Sequence, residues 1–173
     1  MYFDPSGEIA ITTAIIVGAI ALLAADAGLH YLVDADFRED VANFDLFNTD
    51  EQKALDSHYF SFYKGQFVVR SKLKRSASFG IMFLSSTNPK TDANTVKHEW
   101  GHFIQLLILG PVAYTFSIAI PSALNGDAKH YYSQPWEVTA DMLGGVNRTH
   151  VTGSEDNGWQ YLVFARFGIK KFK

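Results

Sequence analysis

His98-Glu99-Trp100-Gly101-His102 reads H-E-x-x-H, and it lies within a segment from about Asp92 to Leu109 whose patterning predicts a helix. On a helix of 3.6 residues per turn, residues i and i+4 stack on one face, so both imidazoles can reach a single ion at about 2.0–2.1 Å. Glu99 projects about 100° round from His98. That is near enough to accept a proton from water at the ion without ligating it. Thr91 or Asp92 is placed to cap this helix and Gly110-Pro111 to end it.

A catalytic zinc takes three protein ligands and keeps a fourth position open for water. Ser133-Gln134-Pro135-Trp136-Glu137-Val138-Thr139-Ala140-Asp141 has the form of a helix start, with Ser133 or Gln134 near the N-cap and proline in the first turn. Glu137 and Asp141 then share a face. Glu137 can bind the metal while Asp141 accepts a hydrogen bond from the free ring nitrogen of a zinc histidine. With both motifs in hand, the sequence resembles the gluzincin metallopeptidases, whose second motif, E-x-x-x-D, often reads E-x-x-A-D as Glu137 to Asp141 does. The resemblance implies an α+β, mainly helical, zincin-like domain with a small antiparallel sheet or hairpin beside the H-E-x-x-H helix. It also implies zinc on His98, His102 and Glu137, with Glu99 as the base that hydrolyses a peptide bond.

A peptidase needs a donor for the oxyanion that forms during hydrolysis. His130, Tyr131 and Tyr132 just before the second motif, and Arg148 or His150 beyond Gly144-Gly145, are the candidates. The sequence leaves the choice open, and the two tyrosines also suit ordinary aromatic packing.

The rest of the chain sets bounds. Its 173 residues, 47% hydrophobic and 14% aromatic, suffice for one well-cored domain. A net charge of −3 and a pI near 6.0 exclude nucleic acid as the expected partner. The absence of cysteine leaves histidine and carboxylate as metal ligands and fits an exported protein. Thr49-Asp50-Glu51-Gln52 reads as a capping box, predicting a helix from Asp50 to about Phe62 with a structural His58 on it. Gln66–Ser71 and Ser78–Ser85 read as a hairpin whose loop carries Arg70, Lys72, Lys74 and Arg75 in solvent. The resemblance to gluzincins implies that Phe79–Leu84, just before the H-E-x-x-H helix, is the cleft rim, where an extended peptide adds as a strand; an ordinary core hairpin is the alternative. Glu155–Phe167 reads as an amphipathic helix with Trp159, Leu162, Val163 and Phe167 on one side, and Asp26–Asn48 as a solvated helix or loop.

Tyr2 to Glu8 contains an Asp4-Pro5-Ser6-Gly7 turn and resembles the end of the Rhs/YD-repeat core, so residues 1–8 read as a linker. Residues 9–25 are 17 residues without charge, either a buried apolar helix or a segment that contacts a membrane. Residues 26–173 then form the zincin-like domain. The run from Thr49 to His150, by its Asn48-Thr49-Asp50-Glu51, Ser57-His58-Tyr59-Phe60 and two metal motifs, resembles the C-terminal zinc-peptidase domain of some bacterial Rhs-repeat proteins. That likeness implies a toxin or effector, secreted or delivered to a target cell, with a protein or peptide substrate and a cognate immunity protein. Three other readings stand beside it. One is a zinc-stabilised binding module without turnover. Another is a processing peptidase that cuts its parent chain near Asp4-Pro5. The third is an intramembrane protease, suggested by the charge-free run Phe103–Leu124. Against that third reading, Asn125 stands where an aspartate ligand should be, and Gly110-Pro111 and Pro121 interrupt the run.

Overall fold

In this computed structural model the described residues are 32–125, 131–150 and 154–167. The N-terminal turn, the apolar stretch 9–25, His130 and the basic tail lie outside them. The chain forms two compact units, residues 1–43 and 44–173. In the first, helix α1 (Ala35–Ala42) begins at Asp34, whose carboxylate accepts from the backbone N–H of Asp36 and Phe37, as the solvated-helix reading of that stretch expects.

The second unit is α+β. Helix α2 (Glu51–Asp56) is shorter than the sequence predicts, and its N-cap is Asp50 rather than Thr49. Residues expected to continue the helix form strand β1 (Phe60–Tyr63) instead. The reason is local: Lys64 (φ 48°) and Gly65 (φ 78°) make a two-residue turn with both residues at positive φ, which suits the twist of a hairpin. Strand β1 therefore folds back on β2 (Gln66–Ser71), with Tyr63 opposite Gln66.

The expected hairpin of 66–71 with 78–85 does not form. Gly80 (φ 78°) splits the second run into β3 (Ala77–Phe79) and β4 (Ile81–Ser85), which pair antiparallel with each other. Strand β4 pairs parallel with β2, Val68 opposite Met82, so the order is β1-β2-β4-β3 and the sheet is mixed rather than antiparallel. Strand β4, which precedes the H-E-x-x-H helix, is thus paired on both sides and cannot accept another. The edge beside it belongs to the three-residue β3, so the strand addition expected along Phe79–Leu84 is not open to Ile81–Leu84, although Phe79 and Phe83 do line a cleft.

Helix α3 (Ala93–Leu109) carries the H-E-x-x-H residues. Asp92 and Thr95 form a reciprocal capping box, worth about 1 kcal/mol, and Gly110 (φ 78°) ends the helix. Val96 packs with Val68, Met82, Leu84, Tyr63 and Ala54 in a core between α3 and the sheet. The charge-free run then bends through α4 (Pro111–Tyr114), a π-helical turn (Thr115–Ala119) and α5 (Ile120–Asn125). No described helix is long and apolar enough to cross a membrane. A 3-10 turn (Tyr131–Ser133) leads into α6 (Pro135–Gly144), N-capped at Gln134 and stopped by Gly145 in the left-handed region. Helix α7 (Ser154–Phe167) buries Leu162 with Leu109, Tyr114 and Ile118. Trp159 is 43% exposed, so it lies off the apolar side assigned to it from the sequence. The packing side instead includes Gly158, whose Cα hydrogens lie against α6, where a Cβ would stand 3.2 Å from the Pro135 carbonyl oxygen.

Candidate metal centre

Two helices build the centre, and glycines set their separation. A Cβ on Gly101 would sit 1.9 Å from the Ala140 carbonyl oxygen, and one on Gly144 2.0 Å from that of Lys97. The helices α3 and α6 therefore meet backbone to backbone. This closeness brings His98 and His102 from one helix against Glu137 from the other.

The three ligand atoms converge. His98 Nε2 lies 3.0 Å from Glu137 Oε2, His102 Nε2 lies 3.3 Å from the same oxygen, and the two ring nitrogens are 3.2 Å apart. A regular tetrahedron with bonds near 2.0–2.1 Å has ligand separations of about 3.3–3.4 Å, so one small ion fits with little rearrangement. All three side chains are buried, Glu137 completely, and they form a potential metal-holding group. The two imidazoles and the Tyr131 hydroxyl are the polar groups that face the buried Glu137 carboxylate. A buried carboxylate is costly unless it is paired, and an ion at the shared point would pair with it.

Each imidazole is held from behind. His98 Nδ1 is 2.6 Å from Asp141 Oδ1, and His102 Nδ1 is 2.8 Å from Gln105 Oε1. Both partners present acceptor oxygens, so each Nδ1 carries the proton and each Nε2 is the nitrogen available to a metal. Gln105 was not singled out from the sequence. Its own amide donates to the Trp136 carbonyl at 2.7 Å and Thr139 Oγ1 at 2.6 Å, which fixes the orientation of its oxygen. Its position three residues beyond His102, on the buried face of α3, was the available signal.

Arg148 donates from one guanidinium nitrogen to both oxygens of Asp141, at 2.8 and 2.7 Å. His150 turns Nε2 to Asp141 Oδ2 at 3.3 Å and Nδ1 to the Tyr132 carbonyl at 2.9 Å. The Tyr132 ring lies edge-on to His98, with the Arg148 guanidinium 3.7 Å from its centroid. These three residues enclose Asp141 and His98.

Tyr131 faces Glu137 and a cleft. It lines this cleft, of about 720 Å³, together with Glu99, His102, Tyr114 and Ser122, and its hydroxyl is 2.6 Å from that of Ser122. Tyr132, Arg148 and His150 do not line this cleft. No family model, curated protein or solved structure matches the chain. The chemistry of the centre is therefore read from its own geometry.

Charge on the site is tightly coupled. Burial alone would raise the Glu137 carboxyl, but its contacts with His102 and His98 hold it well below the usual range. Burial would lower His98, yet its contacts with Asp141 and Glu137 push it up to about 10. Glu99 is raised, chiefly by burial, with His98 and His102 opposing and Glu137 adding to the rise. Its Oε2 is buried without a hydrogen-bond partner. Burial and the Glu137 charge raise Tyr131, which keeps its hydroxyl protonated and able to donate.

Proposed function

We propose that this chain is a zinc-dependent, gluzincin-like hydrolase of peptide bonds. One observation carries the reading: a fully buried Glu137 carboxylate meets two imidazoles through their Nε2 atoms beside a second buried carboxylate, Glu99, that is outside the triad. His98, His102 and Glu137 would hold the ion, a donor set found in hydrolytic zinc centres. Bound there, zinc supplies the Lewis acidity that brings the pKa of a water toward about 7.

The chain's own residues do the remaining work. Glu99, its carboxyl raised by burial, accepts the proton of the attacking water and passes it to the departing amine nitrogen. Tyr131, protonated and positioned by Ser122, donates its O–H toward the oxygen of the former carbonyl. Asp141 and Gln105 fix the tautomers of the two histidines. Arg148 neutralises the buried Asp141, and without that cation Asp141 would pull the Nδ1 proton more strongly.

A buried base outside the triad favours turnover over a purely structural zinc, which needs four protein ligands and no base. The effector setting implied by the likeness to Rhs-repeat proteins, with its immunity partner, belongs to this proposal as biological context. The test is zinc stoichiometry by elemental analysis beside hydrolysis of casein and of a peptide mixture. We expect one zinc per chain in the wild type and in Glu99→Gln, loss or at least tenfold weakening in Glu137→Ala, and hydrolysis lowered by about 10²–10⁴-fold in Glu99→Gln. A folded chain that takes no zinc overturns the centre. Full activity in Glu99→Gln overturns the mechanism.

A further inference from the structure

Arg148 and His150, candidates from the sequence for stabilising the reacting oxygen, stand behind Asp141 instead. The chain reaches that place because Gly145, in the left-handed region (φ 74°), turns it off the end of α6. There the Val146 N–H donates to the Asp141 carbonyl at 2.9 Å and the Gly145 N–H to the Met142 carbonyl at 3.4 Å, the paired bonds of a Schellman motif. Residues 146–150 thus leave the helix in a fixed geometry. By His150 they have met the turn that precedes α6, and there Nδ1 donates to the Tyr132 carbonyl at 2.9 Å.

Tyr132 is held on several sides. The Arg148 guanidinium lies 3.7 Å from its ring centroid, and the rings of His98 and Tyr131 meet it edge-on with centroids at 5.5 and 5.0 Å. The Tyr131 carbonyl accepts from the Gln134 N–H at 3.0 Å, which joins the turn to the N-cap of α6. Tyr131 therefore has its backbone on α6, its ring against Tyr132 and its hydroxyl beside Ser122, facing Glu137 and the cleft. Whatever shifts Tyr132 shifts the ring beside it. A displacement of about 1 Å in a group that meets the reacting atoms can cost about 10²-fold in rate.

We propose that Arg148 and His150 are positioning residues that act through Tyr132 to aim the Tyr131 hydroxyl at the reacting carbonyl oxygen. The inference rests on the hydrolase reading and adds to it what holds the donor in place. Arg148 has two separable tasks: its charge answers Asp141 behind the metal ligands, and its flat face supports the Tyr132 ring. Lysine supplies the charge without the flat face. His150 holds the Tyr132 carbonyl through Nδ1, a donor position that the side-chain amide of asparagine also reaches and that alanine lacks.

Two readouts on the full chain test it. The first is fluorine NMR of the chain labelled with meta-fluorotyrosine, which needs no turnover. The Tyr131 resonance, identified by its loss in Tyr131→Phe, should move in Arg148→Lys and His150→Ala and return toward its wild-type position in His150→Asn. The second is hydrolysis of fluorescein-labelled casein by zinc-loaded chains. Rates should fall about 10²-fold in Tyr131→Phe and about tenfold in Arg148→Lys and His150→Ala, in kcat rather than KM, with zinc affinity within about threefold of wild type. Placed on Tyr131→Phe, the same two substitutions should cost nothing further, because the group they aim is gone. A Tyr131 resonance that stays in place, a loss that persists undiminished on Tyr131→Phe, or full activity in Tyr131→Phe beside an inactive Glu99→Gln overturns the inference and leaves the hydrolase intact. A zinc-loaded chain without Glu99-dependent cleavage overturns both.

Discussion

Two imidazoles present the same nitrogen to the centre because different acceptors stand behind them, a carboxylate for His98 and an amide oxygen for His102. The carboxylate contacts have a measurable consequence at His98. Its pKa, pushed up to about 10, keeps the metal-free ring protonated at neutral pH, so zinc must displace a proton to bind Nε2. The raised folded-state pKa stabilises the metal-free fold fully below about pH 6.5 and loses that contribution as pH rises toward 10. Zinc affinity should run the other way, climbing over the same window. Calorimetry in buffers of different ionisation enthalpy should register proton release at pH 7 that declines toward pH 10; an unchanged count sinks the assignment. The grouping of His98, His102, Glu137 and Asp141 was legible in the sequence because i, i+4 spacing on a helix leaves little freedom. Gln105 was not, because a glutamine among Ile104, Leu106 and Leu107 looks like an ordinary helical residue until Trp136 and Thr139 are seen to clamp it.

At the scale of elements, the crossing of α3 and α6 carries the site, and glycine is its requirement. Helix propensity alone says that Gly101→Ala should stabilise α3 by about 1 kcal/mol. The structure says the opposite, since the new methyl would stand 1.9 Å from a backbone oxygen that cannot turn aside. We expect Gly101→Ala to lower stability by about 1–3 kcal/mol or more and to weaken zinc binding as the helices part. Thermal unfolding with and without zinc measures both, and a stabilised, zinc-competent variant would contradict the crossing. The helices α3 and α6 were readable because caps, proline and glycine punctuate them at both ends. The sheet was less so: parallel pairing of β2 with β4 is a non-local contact, and the break at Gly80 that inserts β3 leaves no mark in the hydrophobic pattern. Lys64 and Gly65 make a hairpin turn where the helix expected to reach about Phe62 would have ended. An aromatic run such as Tyr59 to Tyr63 satisfies either pattern until its pairing partner is known.

For the second unit as a whole, the core between α3 and the sheet depends on what lies beyond β1, one of its two edge strands. Asn48, nearly buried, donates from Nδ2 to the Phe62 carbonyl at 2.7 Å, and its own carbonyl accepts the Lys64 N–H at 2.7 Å. Its side-chain oxygen also accepts the Asp50 N–H at the start of α2. A single residue thereby stands in for part of a missing strand. Asn48→Ala should cost about 1–3 kcal/mol through the orphaned groups. It should also make association concentration-dependent, because the Phe62 carbonyl becomes available to another chain. Light scattering against protein concentration, beside Asn48→Asp, separates the two effects. In colloidal terms, Asn48 is a stopper: it spends one amide to keep an aromatic strand from becoming the seed on which further copies stack.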